Sequence, residues 1–272
     1  MNETRFSSGW KRNYYGKGDV AVYRLNRADN IMFAVNVTLL LYGDAFWPTY
    51  TTGDNAGLVA TDSMKNFIQR ETLNFAGSGL EEYCRFLGQT FLAKYPHTEG
   101  LQITATEVPY GAAGVKAKSP AGPERGFARL EMRADGLVEA RSGIDGFRLL
   151  RLGGSAFHGF IRDEYTTLPD LKDRPLHMWL DLSWSYLDPA RAFSDGAVTA
   201  AVRRVVVDVF NAFESGSIQE VIYQMGTRLL EDIPSMAQVD LEANNRTWDP
   251  VAEEIYTDAR PPFGILGLSL RR

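Results

Sequence analysis

The stretch Leu80-Glu-Glu-Tyr-Cys-Arg-Phe-Leu-Gly-Gln-Thr-Phe91 carries apolar residues at Leu80, Tyr83, Cys84, Leu87 and Phe91. At an offset of 138, Ile218-Gln-Glu-Val-Ile-Tyr-Gln-Met-Gly-Thr-Arg-Leu229 repeats the pattern at Ile218, Val221, Ile222, Met225 and Leu229. Each set runs i, i+3, i+4, i+7, i+11, which is one buried face of a helix. Pro96 and Pro234 both stand sixteen residues after the first apolar position, and each ends its helix because the ring removes the amide hydrogen and clashes with the preceding turn. Upstream, Met64, Phe67, Ile68 and Phe75 fall on Val202, Val205, Val206 and Phe213; downstream, Leu101-Gln-Ile103 falls on Val239-Asp-Leu241. Two helices, a stop proline and a strand in one register point to a duplicated chain, with repeats over 1–138 and 139–272.

Strands open each repeat. Val20 to Leu25 and Ile31 to Tyr42 are apolar and β-branched, and Phe147 to Leu152, Phe157 to Ile161 and Leu176 to Tyr186 take the same part in the second repeat. In the last of these, Met178, Leu180, Leu182 and Trp184 alternate with His177, Trp179, Asp181 and Ser183, the period of an antiparallel sheet with one drier face. The fold class is therefore α+β, with two ββααββ-type repeats, antiparallel sheets and helices on one face. Sheets of that kind leave open edges, and joining them edge to edge into closed barrels takes more than one chain, so an oligomer is expected. Gly111 to Gly126, rich in Gly, Ala, Pro and Lys, is expected to be a mobile excursion near the boundary between repeats.

The chain has 272 residues, of which 44% are hydrophobic and 23% charged, a globular composition with enough length to bury a large core. Its net charge of −5 offers no basic excess to neutralise phosphates, which argues against nucleic acid as a partner. The longest apolar run, Ile31 to Tyr42, is interrupted by Asn36 and Thr38 and falls short of the ~20 residues that span a bilayer, so no membrane partner is expected. The opening Met1-Asn-Glu-Thr-Arg5 has no apolar stretch, and the single Cys84 cannot form an intrachain disulfide; both point to the cytoplasm.

Several chemistries lack their residues. Three histidines, His97, His158 and His177, and one cysteine cannot build a Cys/His zinc site, and there is no His-Glu-x-x-His. Neither glycine-rich phosphate cradle is present, nor a Gly-x-Ser-x-Gly elbow. Asp163-Glu164 and Glu253-Glu254 read as loop-capping or solvated carboxylates. No metal and no cofactor is expected.

Three runs carry a resemblance: Tyr15-Gly-Lys-Gly18, Val59-Ala-Thr-Asp-Ser-Met-Lys-Asn66 and Gly159-Phe-Ile-Arg-Asp-Glu-Tyr-Thr-Thr-Leu168. Ser217-Ile-Gln219, Asn245-Arg-Thr-Trp248, Tyr256-Thr257 and Arg260-Pro-Pro-Phe-Gly264 extend it over nearly the whole chain. Together they resemble urate oxidase (uricase). The resemblance implies a tandem tunnelling fold (T-fold) in a homotetramer of two barrels. It also implies oxidation of urate by dioxygen and water to 5-hydroxyisourate and hydrogen peroxide, with neither metal nor organic cofactor. Two further readings belong beside it: another T-fold enzyme acting on a purine or pterin, or a purine-binding oligomer without turnover.

The resemblance also assigns roles, each of which competes with an ordinary structural one. Lys17, by default a solvated charge, becomes a proton relay when desolvated. Thr61 would cap a helix and pass protons while bonded to Lys17; Asp62 suits a helix N-terminus whose amides also meet the purine. Phe157 stacks on the purine instead of filling the core. Arg174 offers a planar fork to two acceptors, Gln219 pairs one donor and one acceptor with the opposite purine edge, and Ile218 adds backbone and wall. Many family members carry Asn-x-His where this sequence has Asn245-Arg246-Thr247. Asn245 then holds dioxygen or water and Thr247 replaces the histidine. A shift of one residue would give Asn244-Asn245-Arg246; the first register is preferred because it places Asn245 and Thr247 on one strand face. The active sites are implied to be shared between chains.

Overall fold

The computed structural model of the chain describes residues 13–193 and 198–272, and the Met1–Arg5 opening lies outside them. In chain order the elements are β1 (Tyr15–Asn26), β2 (Ile31–Tyr42), α1 (Trp47–Thr51), α2 (Thr61–Glu71), α3 (Leu80–Lys94), β3 (Gly100–Glu107), β4 (Tyr110–Ala112), β5 (Lys118–Pro120) and β6 (Arg125–Arg133). There follow β7 (Gly136–Phe157), β8 (Leu171–Tyr186), α4 (Val198–Ala212), α5 (Ile218–Asp232), β9 (Met236–Asn245), β10 (Asp249–Ala252), β11 (Ile255–Thr257) and β12 (Ile265–Arg271). The helices α3 and α5 begin and end 138 residues apart, and both stop two residues before the proline that bars their extension.

The chain divides into two compact units, Met1–Ser142 with Ser185–Gly196, and Gly143–Trp184 with Ala197–Arg272. In the first, β1, β2, β3 and β6 follow one another as antiparallel neighbours, and α3 lies across β3 and β6. In the second, the strand order is β7, β8, β9, β12, and α5 lies across β9 and β12. Both units are antiparallel sheet with a helix pair on one face, the α+β architecture expected from the repeat.

The strand alternation fixes which face the helices cover. Val35, Val37, Leu39 and Leu41 of β2 are buried, and so are Leu176, Met178, Leu180, Leu182 and Trp184 of β8. His177, Trp179 and Ser183 between them are only half-buried, and Asp181 is exposed. Against these sheets α3 buries Tyr83, Cys84, Leu87 and Phe91, and α5 buries Val221, Ile222, Met225 and Leu229. Each such side chain is worth about 1.5–3 kcal/mol when withdrawn from water. A glycine marks the close approach in both helices: a Cβ on Gly88 would meet Met132 Sδ at 2.5 Å, and one on Gly226 would meet Leu270 Cδ1 at 2.9 Å.

Two sequence expectations need correction. Phe147–Leu152 and Phe157–Ile161 are not separate strands: β7 runs unbroken to Phe157, and 158–161 belong to the following loop. The intervening Gly153-Gly154 is absorbed because Gly154 adopts φ 75, its amide donates to Asp173 Oδ1 at 2.7 Å, and its carbonyl accepts from the Ser215 amide. The Gly111–Gly126 excursion is likewise partly ordered, because β4 and β5 pair within it as a small antiparallel ribbon closed by Ala113 N to Ala117 O.

Candidate active site

In the first unit the functional candidates sit where β1 meets the start of α2. The register of β1 on β2 shifts between Lys17 and Val20, with Asp19 at φ 60, so a β-bulge follows Lys17 and re-aims the strand. Gly16 makes this possible: a Cβ there would lie 1.9 Å from the Leu39 carbonyl oxygen, so only glycine lets the two backbones approach so closely. Lys17 is half-buried, and the charge of its ammonium is the weakest of the influences that lower the Asp62 carboxyl.

Thr61 is the first residue inside α2, and Ala60 holds the capping position without any side-chain cap. The expected N-cap role of Thr61 is therefore corrected: the preceding Val59-Ala60 is extended, so the helical geometry starts at Thr61 itself. Its exposed hydroxyl is left outside the capping network, and no hydrogen bond joins it to Lys17. Asp62, in the first turn, accepts from Lys65 Nζ and from Asn66 Nδ2 at 3.0 Å; the bond to Lys65 does most to hold its carboxyl below the usual range. Immediately before Thr61 opens a cavity of about 490 Å³ lined by Gly57, Val59, Ala60, Ser63, Tyr95 and His97. The Val59 amide donates to the Tyr15 hydroxyl at 3.0 Å, which ties the cavity wall to β1.

In the second unit Phe157 closes β7, and Arg174 lies near the start of β8. They meet: the Arg174 guanidinium carbon is 5.6 Å from the Phe157 ring centroid. Phe157 is half-buried and stacks on Phe160, with centroids 5.0 Å apart and planes at 16°, so one aromatic plane is already prepared as a platform. Arg174 Nε is buried and has no hydrogen-bond partner, and burial lowers the affinity of the guanidinium for its proton. Its neighbour Asp173 is occupied by the Gly154 amide. A buried cationic donor without an acceptor is costly to keep, and an anion placed beside it would relieve that cost.

Helix α5 opens on Ser217, whose Oγ accepts the Glu220 amide at 3.2 Å, while Glu220 Oε2 accepts the Gly216 amide at 2.7 Å. This reciprocal cap fixes the first turn, where Ile218 is buried and Gln219 exposed with a free amide side chain. The loop 158–170 between β7 and β8 is held by Asp163 Oδ1, which accepts from the Tyr165 amide and the Thr166 hydroxyl, each at 3.0 Å. That is the loop-capping role read for Asp163.

Asn245 is the last residue of β9, and its Oδ1 accepts the Thr247 amide at 3.0 Å. The expectation that Asn245 and Thr247 share a strand face is thereby corrected, because the Asn245 side chain folds the next two residues into an Asx turn and ends the strand. The main chain is pinned there by Asn245 N to Gly264 O and Arg246 N to His177 O. Thr247 Oγ1 and Asn244 Oδ1 are both buried and without partners. Phe160 and His97 are the residues that single-residue reading passed over. The repeated aromatic in Phe157-His-Gly-Phe160 is the only sequence signal for the first, and nothing in the sequence links His97 to Gly57, whose carbonyl lies 3.0 Å from its Nε2.

Comparison with known proteins decides what this arrangement belongs to. The sequence profile described as Uricase matches residues 13–131 and 140–264. The chain belongs to the uricase family. A uricase of Halalkalicoccus jeotgali is 35% identical over 280 residues, covering 90% of this chain and 92% of that protein. The uric acid degradation bifunctional protein of Bacillus sp. (strain TB-90) is also 35% identical, over 93% of this chain, and this chain spans only 59% of that longer protein. Among solved structures, a hyperthermostable mutant of Bacillus sp. TB-90 urate oxidase aligns with a TM-score of 0.86 at 34% identity, covering 96% of this chain and all of that one. The uricase of Arthrobacter globiformis aligns with a TM-score of 0.86 at 29% identity over 96% of this chain and 93% of its own. The fold of this uricase-family chain is the T-fold.

Proposed function

We propose that the chain oxidises urate: the urate anion gives two electrons to dioxygen and water adds to the oxidised ring, yielding 5-hydroxyisourate and hydrogen peroxide. The observation that carries this reading is the unsatisfied, half-buried Arg174 beside the Phe157 platform in a chain of the uricase family. A flat anion stacked on Phe157 would present two acceptors to the guanidinium fork. Gln219, free at the start of α5, would pair with the other edge through one donor and one acceptor, with Ile218 supplying backbone and wall.

Lys17 and Thr61 move protons in this account, with Asp62 and the first amides of α2 bounding the purine. Asn245 and Thr247 face the oxygen side, and the partnerless Thr247 hydroxyl takes the place of the family histidine. The electrons come from the substrate, so the protein's task is to bind it flat, withdraw protons and hold oxygen over the ring. Lys17, Thr61 and Asp62 belong to one unit and Phe157, Arg174, Ile218, Gln219, Asn245 and Thr247 to the other. We take the chain to be two repeats, 1–138 and 139–272, and the working form to be a homotetramer in the cytoplasm, its sheets closed into barrels and its sites shared between chains. The test is direct. Purified protein should consume urate, seen as loss of its ultraviolet absorbance, with one peroxide released and one dioxygen consumed per urate, and with the rate unchanged by a chelator. Binding without turnover would favour a purine-binding oligomer, and turnover of a pterin in place of urate would favour a different T-fold enzyme.

A further inference from the structure

Thr61 is presented by a stretch of chain that belongs to no sheet, residues 52–60 between α1 and α2. Two hydrogen bonds tie the end of that stretch to other elements. The Val59 amide donates to the Tyr15 hydroxyl at 3.0 Å, and the Gly57 carbonyl lies 3.0 Å from His97 Nε2; a carbonyl only accepts, so that ring nitrogen carries the proton. Both rings lean edge-on against one buried side chain. Phe46, 1% exposed, has its centroid 4.9 Å from that of Tyr15 at an interplanar angle of 77°, and 6.1 Å from that of His97 at 76°. The two anchors are therefore oriented by packing as well as by the bonds they make.

Tyr15 is the stronger anchor. It pairs with Leu41 and Lys17 pairs with Leu39 in the regular part of the β1–β2 ladder, ahead of the bulge, so both side chains leave β1 on the same face. One strand thus carries Lys17 and, two residues earlier, a hydroxyl that grips the amide two residues before Thr61. Val59 is buried, so water offers its amide little replacement for that acceptor, whereas His97 and Gly57 are exposed and solvent can stand in for their bond. Burial, against the pull of the Val59 amide, pushes the Tyr15 hydroxyl up to about 12, so it stays a neutral acceptor across the working pH range.

We propose that Tyr15, supported by His97, is a positioning residue of the active site: it fixes segment 57–59, and with it Thr61, relative to Lys17 on its own strand. This role rests on the urate-oxidase reading above, in which Lys17 and Thr61 withdraw protons from the substrate. Tyr15 itself makes no contact with urate in it. Loss of the Tyr15 hydroxyl therefore falls on proton movement and spares binding by Phe157, Arg174 and Gln219, because a small displacement of a proton-transferring group slows reaction far more than it weakens affinity.

The test is steady-state urate oxidation by the full chain and its variants, well below their melting temperatures, together with the solvent deuterium isotope effect on kcat. Tyr15→Phe keeps the ring on Phe46 and deletes the acceptor. Its kcat should fall about tenfold or more with KM changed by no more than about twofold, and its isotope effect should rise as proton withdrawal slows relative to the other steps. A smaller folded fraction would lower kcat and leave the isotope effect unmoved. His97→Phe, a ring without the donor, should lose about twofold to threefold, and His97→Gln, which restores a donor, should lose less. Tyr50→Phe removes a neighbouring hydroxyl that donates to the Tyr14 carbonyl at 2.8 Å, off segment 57–59, and should match wild type. Tyr15→Phe at wild-type kcat, or slowed with an unchanged isotope effect, would overturn the proposal, as would an equal loss in Tyr50→Phe. A wild type that leaves urate unoxidised would be the failure of the urate-oxidase reading, and the role of Tyr15 falls with it.

Discussion

In the proposed site Thr247 stands in for the family histidine, so in that proposal turnover rests on the chemistry of one hydroxyl. A hydroxyl both donates and accepts through a rotating bond, so it can hand a proton along by way of water without titrating near neutrality as imidazole does. The Thr247 hydroxyl is buried and uncommitted, whereas the Asn245 carbonyl already holds the Thr247 amide. Thr247→Val should therefore lower kcat by about 100-fold with little change in KM. Arg174→Ala and Gln219→Ala should chiefly raise KM, and Asn245→Ala should reduce kcat as Thr247→Val does. Steady-state urate kinetics on the four variants checks this; a silent Asn245→Ala would transfer the oxygen-side role to Asn244, whose own carbonyl oxygen is buried and unpaired. Residue roles were the least legible layer of the sequence. Lys17, Phe157 and Arg174 look like a surface charge, a core ring and an ion-pair member until their surroundings are known, because desolvation and vacant hydrogen bonds arise only from the folded neighbourhood.

At the scale of elements, the period of the apolar residues carries most of the information. The spacing from Leu80 to Phe91 and from Ile218 to Leu229 locates α3 and α5 because a helical face repeats every 3.6 residues, and the two prolines fix where they end. Gly153-Gly154 misled for a physical reason: a glycine pair reads as a turn, yet with Asp173 and Ser215 bonded to Gly154 it becomes an irregularity inside one 22-residue strand. The bulge after Lys17 was equally invisible, since it depends on how β1 registers on β2. Gly16 is the element's weak point. Gly16→Ala forces a methyl group against the backbone of Leu39 and should cost about 3 kcal/mol or more, seen as a lowered melting temperature. Gly18→Ala, whose new Cβ would make an ordinary 3.5 Å contact with Thr38 Oγ1, should leave the melting temperature nearly unchanged.

At the scale of the whole molecule, α3 and α5 each follow a pair of long strands and precede further strands at an offset of 138, with Gly88 and Gly226 at matched positions in the helices. On the proposed two-repeat reading the candidate residues fall into two sets, one in each repeat. Lys17 and Thr61 belong to one unit and Phe157 and Arg174 to the other; the proposed function requires the first pair to move protons and the second to hold substrate, both around one urate. Co-assembly of two crippled chains tests that requirement most directly. Lys17→Ala and Arg174→Ala enzymes, each nearly inactive alone at urate well below the raised KM of Arg174→Ala, should recover up to about a quarter of wild-type urate turnover per chain when unfolded together and reassembled, because some sites then unite an intact Lys17 with an intact Arg174. Mixed oligomers of proven composition with no activity above either parent would contradict the account and place both sets of residues within a single chain.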